Sequence, residues 1–74
     1  MLYYSDSQEV RLGDLVDFDG EPGVVIEILE TAYEVAAAEM DGPAVGFLTE
    51  SLGRVYESTT DRGWESVSLV RRNA

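Results

Sequence analysis

An alternation of apolar and polar residues before a glycine-rich turn constrains the fold of this chain more than any other feature. Segment 10–18 has the period of two that is typical of a half-buried strand, with apolar residues at Val10, Leu12, Val16 and Phe18. Gly13 and Asp14 interrupt this pattern with a bend or bulge. Residues 19–23 have the Gly and Pro of a turn. Segment 24–29 is an apolar, β-branched strand, in which Val24, Ile26 and Ile28 are expected to share one face. The sequence therefore predicts a hairpin around residues 19–23.

Three further strands are predicted in the second half of the chain. They span 44–50, 54–60 and 64–71. Turns that contain Gly53 and Gly63 separate them. A sheet of this size has exposed edges, and closure into a barrel hides them. We therefore expect a mainly β fold, a small five-stranded SH3-like barrel, formed by one domain over residues 1–74, because so short a chain has material for only one core. Residues 1–9 are expected to form a loose arm or an added edge strand.

A short helix or long insertion is predicted at about 31–43. Thr31 and Glu34 have the spacing of a capping box, and three alanines follow within the next turn. Gly42 and Pro43 supply a stop signal, so the helix is expected over about 32–41. The alternative is a long strand tip, because Tyr33 and Val35 alternate with charged neighbours.

The charge balance of the chain indicates which partners it suits. Five arginines against fifteen acidic residues give a net charge of −10. Such a charge disfavours direct binding to nucleic acid or to an anionic membrane, and it speeds encounter with a basic protein. The alternative is that the charge serves solubility alone. Residues 1–7 lack the pattern of a signal peptide, so a cytoplasmic location is expected.

Several kinds of chemistry are unsupported by the residues present. The chain has no Cys, His or Lys, which excludes thiolate or imidazole zinc sites and Schiff-base lysines. A calcium loop counted from Asp17 would need Gly at its sixth position and Glu at its twelfth, but Gly20 is fourth and Ile28 is twelfth. Glu27 is the best candidate for a perturbed carboxylate, and the favoured interpretation is an outward residue paired with Arg54 or Arg62. We therefore expect no enzyme, no metal and no cofactor.

Part of the chain resembles a known class of small domains. Segments 10–16 (VRLGDLV), 19–20 (DG) and 23–25 (GVV) resemble the first hairpin of SH3-like barrels, including the KOW-type modules of ribosomal and transcription proteins. Those modules bind RNA or protein through basic loops. In this chain the matching loop is acidic, with Asp17, Asp19 and Glu21. The resemblance therefore implies the fold and not RNA binding.

A second resemblance extends over most of the chain. The first hairpin, the Gly-hydrophobic segment 46–48 (GFL) and the ending 64–71 (WESVSLVR) are together similar to small, uncharacterised bacterial proteins. Such proteins occur beside toxin genes or in mobile gene arrays, and some are proposed immunity proteins. The resemblance rests on strands and glycines, and it implies no site residues.

An interaction surface is predicted from the last strand and the acidic turn. Trp64 and Val70 have the parity opposite to that of Val67 and Leu69, so they are candidates for an outer patch. The favoured alternative is that Trp64 plugs one end of the barrel. The full set of candidate partner-binding residues is Trp64, Val70, Val25, Leu29, Asp17, Asp19 and Glu21.

These features predict a non-catalytic protein-binding module. Its partner would be a basic protein, such as a toxin, or a second copy of the chain in a homodimer. Mimicry of nucleic acid is the alternative, because acidic residues two apart on a strand project to one face about 6.8 Å apart. Asp17, Asp19 and Glu21 would begin such a row. Arg71 and Arg72 are expected to pair with acids of the same domain.

Overall fold

The computed structural model describes residues 1–72 and contains one five-stranded antiparallel sheet. Its elements, in chain order, are β1 (Leu15–Phe18), β2 (Glu21–Leu29), α1 (Ala32–Ala37), β3 (Ala44–Thr49), β4 (Gly53–Ser58), a 3₁₀ helix (Arg62–Ser66) and β5 (Val67–Arg71). The strand order across the sheet is β4-β3-β2-β1-β5, so the last strand pairs with the first. The predicted mainly β fold, with five strands and one short helix, is confirmed. No helix within residues 1–72 has the length and apolar character needed to cross a membrane.

The first hairpin turns more tightly than the sequence predicts. Asp19 and Gly20 alone connect β1 to β2, with φ values of 51° and 92°. Two successive positive φ values are typical of the type I′ turn, whose twist matches that of the paired strands. The strand before the turn is also shorter than predicted, because Gly13 bends the chain with φ 87° ahead of β1. Leu12 precedes that bend and is 63% exposed, so its predicted place on the core face is wrong.

A bulge in β2 reverses which side chains face the interior. Val25 pairs with Phe47, but the next paired residue is Glu27, opposite Gly46. Before the bulge Val25 lies in the core, and after it Ile28 packs against the core. The expected single face for Val24, Ile26 and Ile28 is therefore wrong, because one extra residue shifts the alternation.

Helix α1 forms as the capping box predicts, but it ends early. The Thr31 hydroxyl accepts a hydrogen bond from the Glu34 backbone N–H at 3.1 Å, and the Glu34 carboxylate accepts one from the Thr31 N–H at 3.0 Å. The helix ends at Ala37, four residues before the predicted boundary at 41, because Glu39 adopts a left-handed φ of 59°. The helix interpretation of this segment is correct, and the strand-tip alternative is wrong.

The core is assembled around the indole of Trp64. The Trp64 ring stacks on Phe47 of β3 with centroids 6.1 Å apart, and on Tyr4 at 5.8 Å. Its Nε1 donates to the Tyr3 carbonyl at 2.8 Å. Trp64 lies in the 3₁₀ helix and not in the last strand as predicted, and β5 begins only at Val67. The other buried residues of this cluster are Val10, Val16, Val25, Val45 and Val67.

The N-terminal segment folds back against this core. The Val10 N–H donates to the Leu2 carbonyl at 2.9 Å, and Tyr3 forms an antiparallel bridge with Glu9. Tyr4 is buried as a result, because the bridge directs its ring onto Trp64. The segment thus contributes an aromatic layer to the core.

Gly46 is the position where the sheet tolerates a side chain least. A Cβ atom there would lie 2.9 Å from Cε1 of Tyr56 and 3.2 Å from Cβ of Glu27. We predict that Gly46→Ala lowers the free energy of unfolding by about 1–3 kcal/mol, because the Tyr56 ring must move. Denaturant unfolding measures this. Gly42→Ala is the control, because its nearest neighbour would be 3.9 Å away, and a change within about 0.5 kcal/mol is expected. Equal losses in both variants would contradict the packing described.

Candidate functional site

An apolar row crosses the outer face of the sheet. The strand register places Leu15 of β1 opposite Val24 of β2, and Val24 opposite Leu48 of β3. Val70 of β5 continues the row, at the irregularity where the pairing of β1 with β5 shifts. We refer to these residues as the apolar row: Leu15, Val24, Leu48 and Val70.

The apolar row lines a shallow groove of about 550 Å³, which we call the outer groove. Leu48 is 53% exposed and Val70 is 66% exposed, whereas Leu15 and Val24 are half-buried. The groove's other lining residues are Val16, Asp17, Pro22, Gly23, Thr49 and Glu50. Contiguous exposed apolar side chains with a polar rim are typical of interaction sites. The groove can therefore accept apolar side chains from another molecule.

Two carboxylates border the outer groove on one side. Asp17 follows Leu15 by two residues and so projects to the same face, and Glu50 follows Leu48 in the same way. Pro22 lies between them, opposite Asp17 in the register. We call Asp17 and Glu50 the acidic flank. Both line the groove, so a bound molecule would meet negative charge along that border.

Glu21 joins the two turns beside the acidic flank. Its Oε1 accepts hydrogen bonds from the Ser51 N–H at 3.0 Å and from the Ser51 hydroxyl at 2.6 Å. These bonds lower the pKa of the Glu21 carboxyl below its usual value. The β1–β2 turn is thereby tied to the β3–β4 turn, which holds the two carboxylates of the flank at a set separation.

A buried ion pair joins the residue that precedes β1, Asp14, to the residue that follows β5, Arg72. Asp14 is 1% exposed, and its carboxylate accepts bonds from Arg72 Nε at 3.0 Å and from the Tyr4 hydroxyl at 2.7 Å. The Arg11 backbone N–H donates to the same carboxylate at 3.0 Å. Arg72 also donates to the Glu9 carbonyl. The expected pairing of Arg72 with an acid of this domain is confirmed.

The electrostatics of this cluster favour the ionised carboxylate. Burial alone would raise the pKa of Asp14, but the hydrogen bonds from Arg72, Tyr4 and the Arg11 N–H outweigh it and hold the pKa below its usual value. The pKa of Tyr4 is raised by burial and by the bond to Asp14. Asp14 precedes Leu15, and Arg72 follows Val70 by two residues. The pair therefore holds β5 against β1. In this way it fixes the position of Val70, which lines the outer groove.

A second polar cluster occupies the outer face beyond the bulge. Glu27 accepts a hydrogen bond from the Tyr56 hydroxyl at 2.6 Å and pairs with Arg54 at 3.4 Å. The predicted outward Glu27, paired with Arg54, is confirmed. The Tyr56 ring covers Gly46, and all three polar side chains of this cluster line a recess that they share with α1.

A recess between β4 and the segment that follows α1 contains four acidic residues. They are Glu39, Asp41, Glu57 and Asp61. Burial, and then the charge of Asp61, raise the pKa of the Glu57 carboxyl. Within residues 1–72 no three carboxylates are grouped in a way that could hold a metal ion. This recess therefore has negative charge, but its carboxylates are not arranged to bind a metal ion.

The apolar residues predicted for partner binding have different environments. Three of them are buried: Trp64, Val25 and Leu29. Trp64 is in the core, as its plug interpretation requires, and Leu29 lines a recess together with α1. Val70 is exposed and belongs to the outer groove. A joint exposed patch of these four side chains does not form, because the bulge and the 3₁₀ helix turn the others away from solvent.

The acidic residues predicted for partner binding surround the first turn. Asp17 lies in β1, Asp19 in the turn and Glu21 in β2. Only Asp17 borders the outer groove. Because Asp17 and Glu21 belong to different strands, the phosphate-like row that they were expected to begin does not form.

Sequence reasoning missed three residues of the apolar row: Leu15, Val24 and Leu48. A signal for Leu15 existed, because it has the parity opposite to Val16 and therefore the outer face. Leu48 follows the buried Phe47 and is outward by the same rule. The cross-strand register that brings these residues together is not readable from a single sequence.

Comparison with known proteins adds no relative to this description: no family model, no curated protein and no solved structure matches the chain.

Removal of Arg72 tests the buried ion pair. We predict that Arg72→Met lowers the free energy of unfolding by about 1–3 kcal/mol at neutral pH, because Asp14 then stays buried with fewer donors. Arg71→Met, at an exposed position, is the matched control and should change it by less than about 0.5 kcal/mol. Denaturant unfolding of each variant measures both effects.

The loss in Arg72→Met should depend on pH. The folded-state pKa of Asp14 is depressed, so its contribution to stability is present above the usual carboxyl pKa and is lost as pH falls through the folded value. The difference in the free energy of unfolding between wild type and Arg72→Met should therefore be largest near neutral pH and decrease below about pH 4. A difference that grows towards acid pH would contradict this account.

Proposed function

We propose that this chain is a non-catalytic protein-binding domain with an SH3-like barrel fold, and that its outer groove binds a basic protein partner. The observation that carries the proposal is the apolar row beside the acidic flank. The groove offers apolar contact area and negative charge on one face.

The strand arrangement supports the SH3-like part of the proposal. The five antiparallel strands, in the order β4-β3-β2-β1-β5, agree with the number of strands expected for such a barrel. Strand β2 is nine residues long and pairs with β1 near its start and with β3 along most of its length. Its bulge supplies the bend that a curled sheet needs. The molecule extends 29 × 26 × 25 Å, which fits a sheet that folds over its own core.

Exposure of the apolar row supports the binding part of the proposal. The chain carries twenty charged residues among 74, yet four apolar side chains adjoin one another on this face. Burial of apolar surface contributes about 25 cal/mol per Å², so such a row is the main source of contact energy that this face offers. Leu48 and Val70 are its most exposed members and would contribute most.

The charge of the domain supports a basic partner over a second copy of the chain. A net charge of −10 repels an identical copy and attracts a basic surface. The acidic flank lies on the border of the outer groove, where a basic residue could approach it without full desolvation. Charge of this kind contributes more to encounter rate and selectivity than to affinity.

Co-purification with groove variants tests the proposal. We predict that the tagged chain captures a basic protein from lysate of the organism that encodes it, and that Leu48→Ser and Val70→Ser reduce the captured amount at least fivefold, because each removes apolar contact area. Quantitative mass spectrometry of the captured protein measures this. Leu12→Ser, which is similarly exposed but outside the groove, is the control and should capture as much as wild type.

Two results would contradict the proposal. One is the absence of any enriched basic protein with the wild-type chain. The other is equal capture by wild type, Leu48→Ser, Val70→Ser and Leu12→Ser, which would assign binding to another surface. Denaturant unfolding of each variant shows whether a loss of capture comes from a loss of folding.

A further inference from the structure

We propose that the outer groove binds an amphipathic helix of its partner, laid across the strands, with basic residues over the acidic flank. This inference rests on the proposed function, because it specifies which part of a basic protein the groove accepts. It follows from the spacing of the apolar row, the separation of Asp17 and Glu50, and the charge of the domain.

The spacing of the apolar row matches the pitch of a helix. Its members lie on adjacent strands, which are about 4.8 Å apart, so the row spans about 14 Å. Successive turns of an α-helix rise about 5.4 Å, so apolar residues at i, i+4, i+7 and i+11 span about 16 Å. An extended peptide presents alternate side chains about 6.8 Å apart and would span about 20 Å. Over four contacts, the spacing of apolar residues on a helix therefore matches the spacing of the apolar row, whereas the spacing on an extended peptide does not.

The acidic flank adds a second spacing. Asp17 belongs to β1, and Glu50 directly follows β3, so two strand spacings separate them, or about 9.6 Å. Residues i and i+7 of a helix are about two turns apart, and they are separated by about 10.5 Å along its axis. A helix on the apolar row would therefore place two basic residues, seven apart on one edge, over these two carboxylates.

Residues 1–72 do not supply such a helix. Helix α1 is six residues long, and its charged side chain is Glu34. Glu30 and Glu39 flank it and add negative charge. A second copy of the chain would thus bring an acidic helix to an acidic border, which favours a different protein as the source.

Designed peptides test the proposal. The flank peptide is an 18-residue helix with leucines at i, i+4, i+7 and i+11 and with two lysines seven apart on one edge. The back peptide has the same composition, with its lysines on the face opposite the leucines. The extended peptide alternates leucine with polar residues and has the same number of lysines. Fluorescence anisotropy with the full chain measures each Kd, and circular dichroism measures the helicity of the bound peptide.

The flank peptide should bind at least fivefold more tightly than the back peptide and the extended peptide, and it should gain helicity on binding. Leu48→Ser should raise the Kd of the flank peptide at least fivefold, whereas Leu12→Ser should leave this Kd unchanged. The double variant Asp17→Asn and Glu50→Gln should bind the flank and back peptides equally, because it removes only the charge. Asp41→Asn with Glu65→Gln, which are exposed and outside the groove, is the control and should keep the preference.

Three results would overturn the helix proposal. They are equal binding of the flank and back peptides to wild type, tighter binding of the extended peptide, and no binding of the flank peptide at about 1 mM. A dimer by light scattering that Leu48→Ser dissociates would also overturn it, because a second copy would then occupy the groove. Co-purification distinguishes these failures from failure of the proposed function: a basic protein lost only with the groove variants would keep the groove as the binding site.

Discussion

The packing of Trp64 against Phe47 and Tyr4 is the interaction on which the rest of the structure depends. It joins three separate parts of the chain: the N-terminal segment, β3 and the 3₁₀ helix. The 3₁₀ helix turns the indole inward. The chain that follows this helix is then in position to form strand β5, which pairs with β1. Val67 then enters the core and Val70 faces solvent. The same packing that closes the core therefore completes the outer groove.

The sequence predicts the local elements well, and it predicts poorly where side chains point after a bulge. The Thr31–Glu34 capping box and the turn at Gly20 depend on neighbouring residues alone, so both were readable. The bulge at Ile26 was not, because it depends on how β2 pairs with β3. The sequence places Trp64 in a strand. It does not reveal the 3₁₀ helix, because that helix depends on the contact of the indole with residues that are distant in the chain.

The sequence predicts the charge of the candidate site, but it does not predict most of the residues that form the site. Composition alone gives the expectation of a basic partner, and the sequence positions of Asp17 and Val70 identify these two residues as candidates. Leu15, Val24 and Leu48 join them only through cross-strand register, which requires knowledge of which strands are adjacent. Asp14 and Arg72 are 58 residues apart in the chain, and their pairing holds β5 against β1. Long-range contacts of this kind are what a single sequence leaves open.

We propose that the outer groove, and not the Trp64 region, is the surface that this domain presents to a partner. Backbone NMR of the labelled chain, with and without a basic protein recovered by co-purification, tests this proposal. We expect the largest shift changes at Leu15, Val24, Leu48 and Val70, with residues 62–66 little affected. Changes centred on residues 62–66 or on α1, with the apolar row unaffected, would contradict it.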